Sequence, residues 1–135
     1  MKVVLDADIL IGALDGSDPY HSRSRQLFSG WQAQDATRLI SVINLSEVLV
    51  APAANKDRIR AAREAIGALD VAVNQPSEAI GIHAARLRAR HPISLPDAYC
   101  LATASRTGGE LASFDRKVLR AAEAERIPLA AMADG

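Results

Sequence analysis

The chain has 135 residues, 49% of them hydrophobic and 24% charged, which is one domain's length and enough to bury a core. Its 16 Lys and Arg balance 16 Asp and Glu, so no global charge draws it to a polyanion; any nucleic-acid contact must come from a local basic face. The single cysteine, Cys100, excludes an intramolecular disulfide and a cysteine-based zinc site. There is no membrane-length apolar run and no secretory signal, so a cytoplasmic address is expected.

In chain order, Lys2 to Asp6 reads as a buried strand and Asp8 to Leu14 as a short helix with Asp8 as its N-cap. The cluster Asp15-Gly16-Ser17-Asp18-Pro19 breaks that helix. A second helix runs from His21 to about Gln34, with Leu27, Phe28 and Trp31 on one stripe. Arg38 to Ser41 is a short strand, followed by a helix carrying Glu47 that ends at Pro52. Asp57 to Leu69 is an amphipathic helix, Asp70 to Val73 a strand, and Ser77 to Arg90 a helix with a basic end. A helix from Leu95 stops at Gly108-Gly109, whose glycines suit a C-cap. Glu110 to Ser113 is a strand, Arg116 to Glu125 a helix, and Ile127 to Met132 a last short strand.

Strand and helix alternate from residue 1 to 135 without repeats or linkers. The expected architecture is therefore a single α/β domain, a short, mostly parallel sheet covered by helices on both faces. Such sheets bind ligands beyond the carboxyl ends of their strands, where Asp6 and Asp115 fall.

Four acids stand out because each has apolar neighbours, and burying a lone carboxylate costs several kcal/mol. Asp6 follows Val3-Val4-Leu5 and has an ordinary reading as a strand-end loop residue or a cap. Glu47 is harder to read as plain surface, since Ile43, Leu45, Val48, Leu49 and Val50 spread around most of its helix. Asp97 completes the capping box Ser94-Leu95-Pro96-Asp97, and Asp115 suits the N-cap of the helix from Arg116. If the four converge, a divalent cation is the simplest offset for their charge, which points to a metal-dependent hydrolase. His21, His83 and His91 are scattered and form no zinc set, and Cys100 reads as a small core residue.

The ordered blocks Val4-Leu5-Asp6-Ala7-Asp8-Ile9-Leu10-Ile11, Asn44-Leu45-Ser46-Glu47-Val48-Leu49, Leu95-Pro96-Asp97-Ala98-Tyr99-Cys100-Leu101-Ala102-Thr103-Ala104 and Ser113-Phe114-Asp115-Arg116-Lys117-Val118-Leu119 resemble those of PIN-domain ribonucleases, specifically the VapC-type toxins of toxin–antitoxin pairs. The resemblance covers essentially the whole chain. It implies an endoribonuclease that hydrolyses RNA phosphodiesters with a water activated by Mg²⁺, Mn²⁺ being a plausible substitute. Asp6 and Asp97 are then the principal metal ligands. Glu47 and Asp115 complete the catalytic pocket directly or through water. Ser113 supports the last acid, and Asp8 departs from a position where Ser, Thr or Asn is commoner.

The charge expected to face RNA is that of Arg86, Arg88, Arg90, Arg116 and Lys117. The resemblance further implies a homodimer and a VapB-type antitoxin whose C-terminal segment occupies a groove near the site. Leu10, Leu14, Leu27, Trp31 and the Glu47 helix are candidates for that groove, with Trp31 either an interface anchor or a core residue. Two alternatives remain at this level. One is a phosphatase of the haloacid-dehalogenase type using Asp6 and Asp8, although Leu10 stands where that family usually has Thr. The other is a PIN-like domain that binds RNA or protein without cleaving.

Overall fold

Val3, Val4 and Leu5 are completely buried, and the strand they form, β1 (Lys2–Leu5), lies in the interior of a four-stranded sheet. The computed structural model describes residues 1–132. β1 pairs in parallel with β2 (Thr37–Ser41) on one side, Val4 opposite Leu39, and with β4 (Glu110–Ala112) on the other, Val4 opposite Leu111. β3 (Val71–Asn74) pairs in parallel with β2, so the order is β3-β2-β1-β4, and the sheet is parallel throughout, as the alternation of elements led one to expect.

Successive residues of β1 point to opposite faces and divide the core in two. Val3 and Leu5 pack with Ile9, Leu10, Leu27, Phe28, Trp31 and Ile66, from α1 (Ala7–Leu14), α2 (His21–Ala33) and α4 (Lys56–Ala68). Val4 packs on the other side with Ile80, Leu87, Leu101 and Val118, from α5 (Glu78–Arg90), α6 (Leu95–Thr107) and α7 (Arg116–Ala124). The helix after β2 is α3 (Val42–Leu49), followed by a single 3₁₀ turn at Pro52–Ala54. The left-handed C-cap of α6 is Gly108, at φ 72°, a conformation glycine adopts without a Cβ penalty.

Three expectations change. The last strand reduces to one parallel bridge between Leu111 and Leu129, flanked by Leu111 N–H to Pro128 O and Ala130 N–H to Leu111 O, both 2.8 Å. Pro128 has no N–H with which to extend that ladder, and β4 offers only three residues to pair with. The N-cap of α1 is Asp6, not Asp8, because the strand ends at Leu5 and the Asp6 carboxylate accepts the Ala7 N–H at 2.8 Å. Trp31 belongs to the core, 4% exposed and edge-on to Phe28 at 5.2 Å, and with Leu27 it also borders a pocket of about 330 Å³ beside Met1, Gln34 and Ala130, whereas Leu10 is completely buried and lines none of the grooves described.

Candidate functional site

At the carboxyl end of the sheet the loops after β1 and β4 are bolted together. The Asp6 N–H continues the β1–β4 pairing by donating to Ala112 O at 2.9 Å. Ser113 Oγ, completely buried, donates to Asp6 Oδ2 at 2.7 Å and accepts the Asp115 N–H at 3.0 Å. The Phe114 N–H donates to Asp8 Oδ2 at 3.0 Å. Asp8 is thus a cross-brace between the two loops, which its expected capping role did not foresee.

The other two acids arrive on helices. Asp97 is in the first turn of α6 and forms the expected capping box, exchanging bonds of 3.2 Å with Ser94 Oγ and the Ser94 N–H. Glu47 is exposed near the end of α3, a position that the apolar wheel of that helix did not suggest. Leu45 and Leu49 are only partly buried, which leaves a strip open beside Glu47. Asn44, missed as a site residue, joins the two helices. Its fully buried amide donates to Glu47 Oε1 at 3.1 Å and to Pro96 O at 3.0 Å. Two acceptors on one side dictate that the NH₂ group points there. The signal in the sequence was a polar residue one turn before Glu47 on an otherwise apolar helix.

The electrostatics report the same proximity. Burial, and then the negative Asp8 alongside, push the Asp6 carboxyl up to about 7 against the bond from Ser113, with Asp97 adding to the rise. Burial pushes Asp8 up to about 6, partly offset by the Phe114 N–H, with Asp115 and Asp97 contributing. The thiol of Cys100, inside α6, is raised by burial and then by Asp6, Asp8, Asp97 and Glu47. All five acids therefore lie within electrostatic reach of one another or of one point in α6.

Among the described residues, no three acidic, histidine or cysteine side chains converge tightly enough to enclose an ion as they stand. Each of four carboxylates is engaged by a separate neighbour: Asp6 by Ser113, Asp8 by Phe114, Asp97 by Ser94 and Glu47 by Asn44. The donor set nonetheless fits a hard cation. It is all oxygen, and Asp8 Oδ1 is buried with no hydrogen-bond partner, a costly arrangement that an oxygen-seeking ion would relieve.

The cations divide into two groups. Arg116 and Lys117 are exposed on the first turn of α7, immediately after Asp115. Arg90 instead pairs with Glu125 at 2.9 Å, and His91 with the same carboxylate at 2.7 Å. Glu125 caps the opposite end of α7 from Asp115, about 15 Å away along the helix. Arg86 belongs with that distant group, lying with Arg106 and Arg90 near His83, whose pKa is lowered by burial and by those charges. Arg88 is exposed on the same helix. A groove of about 490 Å³ opens between α1, α3 and α4, lined by Ile11, Leu14, Val48 and Ala62 with Glu47 and Arg58 also at its wall.

A parallel α/β domain with an acidic cleft at the carboxyl ends of its central strands is the class this fold and site define. The chain belongs to the PIN domain family, whose pattern matches residues 3–124. That match removes the haloacid-dehalogenase alternative. The structure is similar to a chain of a toxin–antitoxin complex from Klebsiella pneumoniae, at 26% identity and TM-score 0.69 over 87% of this chain and 89% of that one. It is also similar to a Mycobacterium tuberculosis VapC toxin that cleaves the sarcin–ricin loop (18% identity, TM-score 0.72, 88% and 94% covered). A third likeness is to a Rickettsia felis VapBC complex bound to promoter DNA (16% identity, TM-score 0.76, 98% and 100% covered). The last two likenesses concern the fold alone. Among curated proteins none matches this sequence. Among the described residues, no helix is long and apolar enough to cross a membrane.

Proposed function

We propose that this protein is a divalent-cation-dependent endoribonuclease acting as the toxin of a toxin–antitoxin pair. The observation that carries the reading is the pairing of buried Asp6 with Asp8, whose Oδ1 has no partner, at the strand ends beside Asp97 and Asp115. Membership of a family whose VapC toxins are nucleases, and a fold shared with toxin–antitoxin complexes, support it.

In this reading Asp6 and Asp97 are the principal ligands of Mg²⁺ or Mn²⁺, Asp8 Oδ1 is a further oxygen donor, and Glu47 and Asp115 complete the pocket. When bound, the cation supplies charge neutralisation and Lewis-acid polarisation of phosphate and water. Ser113 holds the Asp6 carboxylate in one orientation, and Asn44 holds Glu47 over the first turn of α6. In this reading one of Glu47 and Asp115, both exposed, accepts the proton released by the attacking water. Arg116 and Lys117 offset the repulsion between an acidic cleft and an RNA backbone; Arg86, Arg88 and Arg90 sit on the less suitable helix. A VapB-type antitoxin would bind in the α1–α3–α4 groove beside Glu47, the toxin would be a homodimer, and both would act in the cytoplasm.

The test is cleavage of RNA by antitoxin-free protein. Cutting should require Mg²⁺ or Mn²⁺, stop in EDTA, and fall on the order of 10²-fold or more in Asp6→Asn and Asp97→Asn. RNA binding without cutting in any metal would favour the non-cleaving PIN-like alternative.

A further inference from the structure

Beside the acids stands an aromatic pair that the proposed metal site does not use. Tyr20, the residue before α2, lies parallel to Phe114 with ring centroids 4.3 Å apart and an interplanar angle of 13°. The Arg23 guanidinium carbon is 5.0 Å from the Phe114 centroid and 5.7 Å from that of Tyr20. Phe114 rests on the core with part of its surface, whereas Tyr20 is 39% exposed. One face of Tyr20 is therefore covered by Phe114, and Tyr20 is the more exposed member of the pair.

Two properties set this pair apart from a chance surface aromatic. First, it is contiguous with the site: Phe114 sits between Ser113, which holds Asp6, and Asp115, and its own N–H holds Asp8. Second, it is built rigidly. Asp18 Oδ1 accepts the Tyr20 N–H at 2.8 Å, and Asp15 Oδ1 accepts the Ser17 N–H and hydroxyl at 2.9 and 2.7 Å. His21 Nδ1 donates to Gly12 O at 2.8 Å, tying the start of α2 back to α1. A partly exposed aromatic ring braced from behind by a second ring is the chemistry that holds an unstacked nucleobase.

We infer that Tyr20, backed by Phe114, is a stacking platform for a nucleobase next to the scissile phosphodiester. This rests on the nuclease reading. A duplex keeps its bases stacked internally and presents none to Tyr20, so the base that Tyr20 takes is an unstacked one beside the cut. Phe114 braces one face of the ring, with the Arg23 guanidinium beside both rings.

The test is steady-state cleavage, in Mg²⁺, of a single-stranded oligoribonucleotide by the intact protein and by Tyr20→Leu, Tyr20→Ala and Tyr20→Trp. Tyr20→Leu keeps apolar bulk against Phe114 but removes the π-face. It should raise KM roughly ten- to a hundredfold, with a smaller change in kcat and a thermal midpoint close to that of the unsubstituted protein. Tyr20→Trp should restore KM. Replacing bases one at a time with abasic positions should reveal one next to the cut that weakens the unsubstituted protein and leaves Tyr20→Leu unchanged. Normal KM in Tyr20→Leu overturns the platform while leaving the nuclease reading intact, as does a defect confined to binding a protein partner. Failure of the unsubstituted protein to cut any RNA overturns the nuclease reading itself, and the platform with it.

Discussion

Ser113 Oγ donates to Asp6 Oδ2 at 2.7 Å, joining two buried residues that are 107 positions apart in the chain. That bond fixes the orientation of the most buried acid of the site and opposes the rise in its pKa. It also makes the end of β4 and the end of β1 one rigid edge from which Asp6, Asp8 and Asp115 project. Ser113→Ala leaves a buried carboxylate short of a donor and the Asp115 N–H short of an acceptor. A loss of about 1–3 kcal/mol in urea denaturation is expected. The acidic limb of the cleavage pH profile should also move to higher pH, because Asp6 then gives up its proton less readily. An unmoved limb would mean that Asp6 does not titrate in the reaction.

The two raised carboxyls give stability a definite pH dependence in the absence of metal. With folded values near 7 for Asp6 and 6 for Asp8 against 3.8 in an unfolded chain, the folded protein holds protons that the unfolded one has released. Their contribution is therefore complete below about pH 4 and is lost as pH rises through 6 and 7, on the order of a few kcal/mol. Metal-free protein should melt at a higher temperature at pH 5 than at pH 8, and Asp6→Asn should flatten that slope. Mg²⁺ or Mn²⁺ should raise the melting temperature at pH 8 far more than at pH 5, because protons and cation compete for the same oxygens. Calorimetric scans at both pH values, with EDTA or metal, check each statement.

Asn44 makes the link between Glu47 and the first turn of α6 through one side chain. Asn44→Ala removes a buried amide, deprives Pro96 O of its side-chain donor and releases Glu47. We expect about 1–3 kcal/mol of destabilisation. Cleavage should fall by roughly ten- to a hundredfold in protein that is still folded by circular dichroism. Full activity in folded Asn44→Ala would show that the orientation of Glu47 is unimportant.

Gly12 lets α1 and α2 approach so closely that a Cβ on it would run into Ser24 Oγ. Gly12→Ala should cost about 1–3 kcal/mol despite its better helix propensity. Ser24→Ala in the same chain leaves a tighter than ordinary contact of 3.3 Å with Ser24 Cβ. The double variant should therefore recover part, not all, of the loss. Independent, additive effects would refute this contact as the cause.

Much of the fold was legible because it depends on local pattern. The apolar run of β1, the Ser94–Asp97 capping box and the glycine after α6 act within a few residues, and each appears in the structure where the sequence put it. The last strand was misread because Ile127 to Met132 is apolar enough for a strand, while Pro128 and a three-residue partner limit it to one bridge. Asp8 was misread as a cap because its partner, the Phe114 N–H, is 106 residues away. Trp31 could be placed on a stripe by periodicity, but periodicity does not say whether that stripe meets the sheet or solvent.

By itself, the sequence determined the order of elements, the parallel sheet with helices on both faces, and which acids fall at strand ends and helix starts. Those follow from hydrophobic period, capping and turn chemistry, all short-range. Only the tertiary structure decided that Asp8 braces two loops, that Asn44 carries Glu47, that Arg90 is paired far from the acids, and that Tyr20 lies on Phe114. Each of these depends on which distant backbone and side-chain groups the packed sheet brings within hydrogen-bonding or stacking distance. Contacts across such separations leave no periodic trace in one chain.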